Sequence, residues 1–214
     1  DIKLMMSTMN HRGPDDEGVF FENNIGLGFV RLSILDLTTN GNQPMYSNDN
    51  RFVIVYNGEV YNYLELKQEL KKDFVFKTKT DTEVVLNAFQ KWGVDCVKRF
   101  NGMFSFVIFD KLTKEIYGFR DRFGVKPFYY FQNDKTFIFA SEIKSILPLV
   151  KNKSPNEKII FDYIAYNRTD HTNETFFENI FSVKNDLIRS IYSEIITSPA
   201  QSKNKNDGGL AFIV

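Results

Sequence analysis

The stretch RFVIVYNGEVYNY (51–63) anchors the architecture. Phe52-Val53-Ile54-Val55 is apolar at four consecutive positions, so a strand here must be covered on both faces. The run ends in Asn57-Gly58-Glu59, where a buried strand would emerge. An Asn-Gly pair after an apolar strand is ordinarily only a turn. It can also place an amide, a main-chain N–H and a carboxylate together, because glycine lets backbone approach a ligand closely.

On the C-terminal side of this stretch, Asn62 with Glu65 three residues on reads as a capped helix over 63–72, with Tyr63, Leu66 and Leu70 on one face. FVFKT (74–78) reads as a strand. A second helix over about 81–92 follows Thr80, with Glu83 completing a capping box and Val84, Val85, Ala88, Phe89 and Trp92 as its apolar stripe. Segments 103–110, 115–121, 127–132 and 135–140 read as strands joined by short turns, and 141–147 as a short helix.

On the N-terminal side, 2–9 reads as the end of a helix and HRGPDDEG (11–18) as a turn. Segments 19–23 and 25–36 read as strands around Asn23-Asn24, and 38–50 as a polar loop. These elements fit an α+β fold of two stacked antiparallel sheets covered outside by helices. Composition shifts at 148–156, a plausible domain exit, before a helix over 157–167. The segment QSKNKNDGG (201–209) is expected to be disordered from its low hydrophobicity.

Bulk properties narrow the function. A chain of 214 residues can bury a full core, and 22 Phe make that core aromatic-rich. Lys+Arg 27 against Asp+Glu 27 gives no basic excess, so neither nucleic acid nor an anionic membrane is expected as a partner. One cysteine excludes an internal disulfide framework and suits a reducing, cytoplasmic setting. Two histidines and one cysteine make a structural zinc site a poor fit, and no metal is expected. No signal peptide and no long apolar run is visible.

Three chemical needs of a pocket for a free amino acid carrying a side-chain amide can be met. Arg31, at a strand end, can hold an α-carboxylate bidentately. Asp81 or Glu59 can meet an α-ammonium group. Asn57 and the Gly58 N–H can surround an amide oxygen on which negative charge grows. Each has a plainer explanation: a surface Arg, a turn, a helix cap. Thr80 and Glu83 already satisfy the cap, however, which leaves the Asp81 carboxylate spare.

HRGPDDEG, RLSILDL, QPM, YNGEVYNYLEL, TDTEVVL, NGMFSFVIFD, RDRFGVKPFYY and ASEIKSIL follow one another in the order and spacing of a single family. Over residues 1 to about 183 the chain resembles the N-terminal glutaminase domain of asparagine synthetase (glutamine-hydrolysing). That domain is a class II glutamine amidotransferase of the N-terminal-nucleophile hydrolase fold. The resemblance implies a four-layer αββα sandwich. It implies Arg31 on the glutamine α-carboxylate, aided by main chain of Leu32, Ser33, Ile34 and Leu35. Asn57 and Gly58 would form the oxyanion hole, and Glu59 and Asp81 would orient the substrate, Asp81 at its α-amino group. It further implies an N-terminal cysteine nucleophile, and ammonia passed to a synthetase domain where ATP and magnesium activate aspartate. The HRGPD loop with His11 would be a structural neighbour of the pocket, and RDRFGVKP (120–127) would lie toward the synthetase domain.

The pattern departs at both ends. Asp1 to Met6 match the later part of the helix before HRGPD, so the cysteine, the first strand and the helix start are expected to be missing. Cys96 is expected to be a buried packing residue and not a substitute. The expected layout is a truncated glutaminase domain over 1–155, a link toward the synthetase domain over 156–183, and an unassigned, disordered tail over 184–214. Loss of a central strand would expose sheet edges. No cofactor is expected in these residues, since ATP and magnesium go with the synthetase domain. Glutamine is the expected ligand, and a homodimer is compatible with the sequence. Two alternatives are a catalytically dead glutamine-binding or interaction module and an amidotransferase with a different acceptor.

Overall fold

The computed structural model describes residues 1–33, 36, 38–133, 136–183, 189–190 and 210–213. Its elements are α1 (Ile2–Ser7), β1 (Asp16–Glu22), β2 (Ile25–Arg31), β3 (Met45–Tyr46), β4 (Phe52–Val60), α2 (Tyr63–Leu70), α3 (Asp81–Trp92), β5 (Gly102–Asp110), β6 (Glu115–Arg120), β7 (Tyr129–Gln132), β8 (Phe137–Ala140), α4 (Ile143–Ile146), α5 (Glu157–Tyr166), β9 (Ile180–Ser182), β10 (Arg189–Ser190) and β11 (Leu210–Ile213). One sheet runs β1-β2-β11-β8-β7-β9 and the other β10-β6-β5-β4-β3.

β4 is covered on both faces, as its apolar run requires. Val53 and Val55 join Leu27, Phe29, Val107, Phe109, Phe137 and Phe139 in a cluster drawn from both sheets. Ile54 and Tyr56, on the opposite face, pack with Phe106, Ile108 and Phe119 and with Leu66, Leu70, Val84, Val85 and Phe89 of α2 and α3. A third cluster joins Met5, Met6 and Met9 to Val30, Ile138, Ala140 and Ile146. The period-2 alternation of the strands therefore divides their side chains between two interfaces. Among the described residues no helix is long and apolar enough to cross a membrane.

Several local expectations give way to long-range partners. FVFKT (74–78) is not a strand. The N–H groups of Lys77 and Thr78 donate to the Glu83 carboxylate (2.8 and 2.7 Å), so the segment has exchanged a ladder for a side chain. Glu83 therefore does not close a capping box, although Thr80 Oγ1 does accept the Glu83 N–H at 3.3 Å. Asn62 forms no cap bond. Its side chain instead accepts from Asn101 N–H (2.9 Å) and donates to Arg99 C=O (3.0 Å). β7 starts at Tyr129, two residues later than expected, beyond Pro127, which has no N–H for a ladder.

The tail also differs. β11 lies between β2 and β8, parallel to both, in a fold otherwise paired antiparallel. These four residues, expected to be disordered, close the sheet where an opened edge was expected. Arg189–Ser190 adds to the edge of the other sheet against β6. Segment 201–209 lies outside the described residues.

Candidate functional site

A cavity of about 290 Å³ opens where the end of β2, the end of β4 and the start of α3 converge. Three cations (Arg12, Arg31, Lys126) and three acids (Asp36, Glu59, Asp81) line it, beside Asn57, Gly58, Leu32 and Ser33. The balance of charge suits a zwitterion better than an anion or a cation.

Arg31 ends β2 and is buried. Its Nη1 donates to Thr38 C=O (3.0 Å) and to Asn42 Oδ1 (2.5 Å), and its Nη2 donates to Asp36 C=O. These acceptors are neutral, so no carboxylate cancels the guanidinium within this set. Three of its five N–H groups are engaged, and the Nε–H and one Nη2 proton carry none of these bonds. Gly41 makes the placement possible, because a Cβ there would stand 2.6 Å from Arg31 Nη2. Asp36 lies half-buried beside it, and the Thr38 hydroxyl and N–H hold its carboxyl below the usual range.

Asp81 opens α3 and is 4% exposed. Burial raises its carboxyl above the usual range, against hydrogen bonds from Tyr56 and Val60 that lower it. Tyr56 OH donates to Asp81 Oδ2 at 2.6 Å, and Val60 N–H donates to the same oxygen at 2.9 Å. Asn57 Nδ2 is buried without a hydrogen-bond partner among the described residues. A buried donor left unpaired costs about 1–3 kcal/mol, and a ligand acceptor in the cavity would remove that cost.

Gly58 faces its neighbour strand Phe104 in register, and an added Cβ would meet Met103 C=O at 2.3 Å and Phe104 Cα at 2.7 Å. The glycine is therefore demanded first by β5, and closeness to a ligand is not the primary reason for it. Leu32 is exposed at the rim. The Ser33 N–H is committed to Asp15 Oδ2 (2.7 Å), so it is not free to meet a ligand. Ile34 and Leu35 lie outside the described residues. The cavity is lined by Arg31, Leu32, Ser33, Asn57, Gly58, Glu59 and Asp81 among the residues singled out from sequence, and by Arg12, Gln43, Tyr56, Thr82 and Lys126 besides. All five fall within motifs that stood out in the sequence, but nothing local in those motifs marked these particular residues as cavity lining.

The HRGPD turn supports the site from behind. Asp15 N–H donates to Arg31 C=O (3.0 Å), and a Cβ on Gly13 would collide with Val30 at 2.3 Å. Arg12 and His11 both reach Glu142 Oε1, at 3.1 and 3.0 Å, and Lys144 reaches Oε2 at 3.0 Å. Burial raises the Glu142 carboxyl, but the hydrogen bonds from Lys144, His11 and Arg12 outweigh it and bring it down to about 2. A carboxyl depressed on folding stabilises above its unfolded value, and that contribution is lost as pH falls through the folded value. Glu142→Gln should therefore lower stability by roughly 1–3 kcal/mol at neutral pH. The difference from wild type should shrink between the ordinary carboxyl value of 4.5 and about 2. Urea unfolding at pH 7 and pH 3 measures it, and an equal deficit at both would contradict this role.

Cys96, the sole cysteine, sits in the 3-10 turn Gly93–Arg99, fully buried in the outer cluster, and does not line the cavity. Burial pushes its thiol up to about 12, which makes it inert as a nucleophile near neutral pH. Among the described residues no group of three or more His, Cys, Asp or Glu could hold a metal ion.

The chain is 39% identical over 166 residues to asparagine synthetase [glutamine-hydrolyzing] 1 of Bacillus subtilis, covering 77% of this chain and 26% of that protein. It is 44% identical over 145 residues to asparagine synthetase [glutamine-hydrolyzing] 2 of the same organism, covering 68% of this chain and 19% of that protein. It thus spans about a quarter or less of the length of these two relatives. A solved structure of glutamine phosphoribosylpyrophosphate amidotransferase from B. subtilis, complexed with ADP and GMP, aligns with a TM-score of 0.51 at 19% identity. That alignment covers 61% of this chain and 36% of the other, and indicates a shared α+β fold with antiparallel sheets. The model of the glutamine amidotransferase domain matches residues 1–200, and the chain belongs to that family.

Proposed function

We propose that the cavity binds free L-glutamine. The observation that carries this is the placement of buried Arg31, buried Asp81 and the unpartnered Asn57 Nδ2 on one cavity lined equally by cations and acids. Arg31 takes the α-carboxylate, Asp81 the α-ammonium with Glu59 nearby, and Asn57 with the Gly58 N–H the amide oxygen. The stacking of helices outside two sheets supports a helix–sheet–sheet–helix order like that of N-terminal-nucleophile hydrolases.

With a cysteine ahead of Asp1, its thiolate would add to the glutamine amide carbon. The C–N bond breaks as the nitrogen takes a proton and leaves as ammonia, and water cleaves the thioester to glutamate. The ammonia then amidates aspartate in a following synthetase domain, which supplies the ATP and magnesium chemistry. The buried Cys96 is not suited to the nucleophile's part.

Calorimetric titration tests this. L-Glutamine should bind, while N-acetyl-glutamine and glutamine α-amide, each lacking one charge, should bind at least about tenfold more weakly. An ammonia assay should detect no release until Met-Cys-Gly and a first strand are placed ahead of Asp1. Equal binding of the three ligands, or ammonia release that Cys96→Ala abolishes, would sink the proposal.

A further inference from the structure

Asp81 needs no help to start α3, because Thr80 already supplies the cap. Its carboxylate is nevertheless held by two donors on a single oxygen, Tyr56 OH at 2.6 Å and Val60 N–H at 2.9 Å. No other side chain donates to Oδ1 among the described residues. Both donors come from β4, and Tyr56 is 3% exposed. The two bonds fix the carboxylate plane, main-chain N–H groups of the first turn of α3 also act on the carboxyl, and no described side chain competes with a ligand for the second oxygen.

Tyr56 is itself locked in place. Gln43 Oε1 accepts the Tyr56 N–H at 2.6 Å, and Gln43 Nε2 donates to the Tyr56 C=O at 3.1 Å. The same Nε2 reaches Thr82 Oγ1 at 3.5 Å, one residue past Asp81. The Tyr56 ring packs against Phe106 with centroids 6.1 Å apart. Gln43, Tyr56 and Asp81 thus form a relay from the loop before β3 to the first turn of α3.

We infer that Tyr56 is a positioning residue of this site: its hydroxyl holds the Asp81 carboxylate ionised and aimed at the ligand's α-ammonium group, and so sets the preference for an amino acid over a plain acid. This rests on the glutamine reading above. A buried carboxylate that loses a donor takes up a proton more readily, and a protonated Asp81 cannot pair with an ammonium. Tyr56→Phe removes one oxygen and keeps the ring in its packing.

The test compares two ligands on the full chain and on Tyr56→Phe. One is L-glutamine. The other is 4-carbamoylbutanoate, which keeps the amide, the carbon chain and the carboxylate but has no amino group. Tyr56→Phe should weaken L-glutamine about tenfold, the scale of one charge-assisted hydrogen bond. The analogue's dissociation constant should stay unchanged. A purely structural role would weaken both ligands alike, and that result would overturn the inference, as would no change in either. A wild-type chain that binds neither ligand would overturn the glutamine reading and this inference with it. A thermal midpoint close to wild type confirms that the variant compared is folded.

Discussion

Arg31→Ala is expected to abolish measurable L-glutamine binding and to lower stability by roughly 2–4 kcal/mol. The two losses share one cause. The guanidinium is the donor for Thr38 C=O, Asn42 Oδ1 and Asp36 C=O, so it shapes the loop that forms one wall of the cavity. Alanine takes this donor from all three acceptors in a partly buried place, with only Thr38 C=O keeping the Gly41 N–H, and removes the cation meant for the α-carboxylate. Arg31→Lys should rescue little, since a point charge with three donors cannot span acceptors on both guanidinium ends. Urea unfolding and calorimetry on both variants measure the two effects. Retained glutamine affinity in Arg31→Ala would refute the assignment of the α-carboxylate subsite.

Gly58→Ala should cost about 3 kcal/mol or more, an unusually large penalty for one methyl group. A Cβ at this position falls within 2.3 Å of Met103 C=O and 2.7 Å of Phe104 Cα. Those are backbone atoms of the paired strand, so no side-chain rotation relieves the clash. β4 and β5 must part locally, and they do so beside Asn57, whose register partner is Ser105. Glutamine affinity should fall with stability, because the Asn57 amide shifts with the ladder. Denaturant midpoints alongside calorimetry check both, and wild-type stability in this variant would show that the strands tolerate separation there.

The difference between these two residues bears on what could be read from sequence. Motif order singled out both Arg31 and Gly58, and both line the cavity. The two-faced burial of β4 was legible from four consecutive apolar residues, and the stripe on α3 from its helical spacing. Cys96 was legible as packing. The reasons for individual residues were less so. Gly58 was expected to serve ligand approach, and the structure assigns it to β5. Glu83 was expected to cap its own helix, and it instead binds the N–H groups of Lys77 and Thr78, which takes 74–78 out of any sheet. Ser33 was expected to offer main chain to a ligand, and Asp15 already holds its N–H. Tyr56 carried no local sign of its role, since an aromatic next to an apolar strand normally signals core.

The chain's own order of residues determined much that depends on near neighbours: the two-faced burial of β4, the apolar stripe of α3, where Thr80 caps, and which motifs succeed one another. Only the tertiary structure decided pairings across long separations. Tyr56 meets Asp81 across 25 positions and Ser33 meets Asp15 across 18, while β11 slots between strands that begin at Ile25 and Phe137. The physical reason is that a polar side chain has many acceptable partners of similar strength. Which one it takes is set by how the packed sheets bring distant backbone together, and that is not written in the residues beside it.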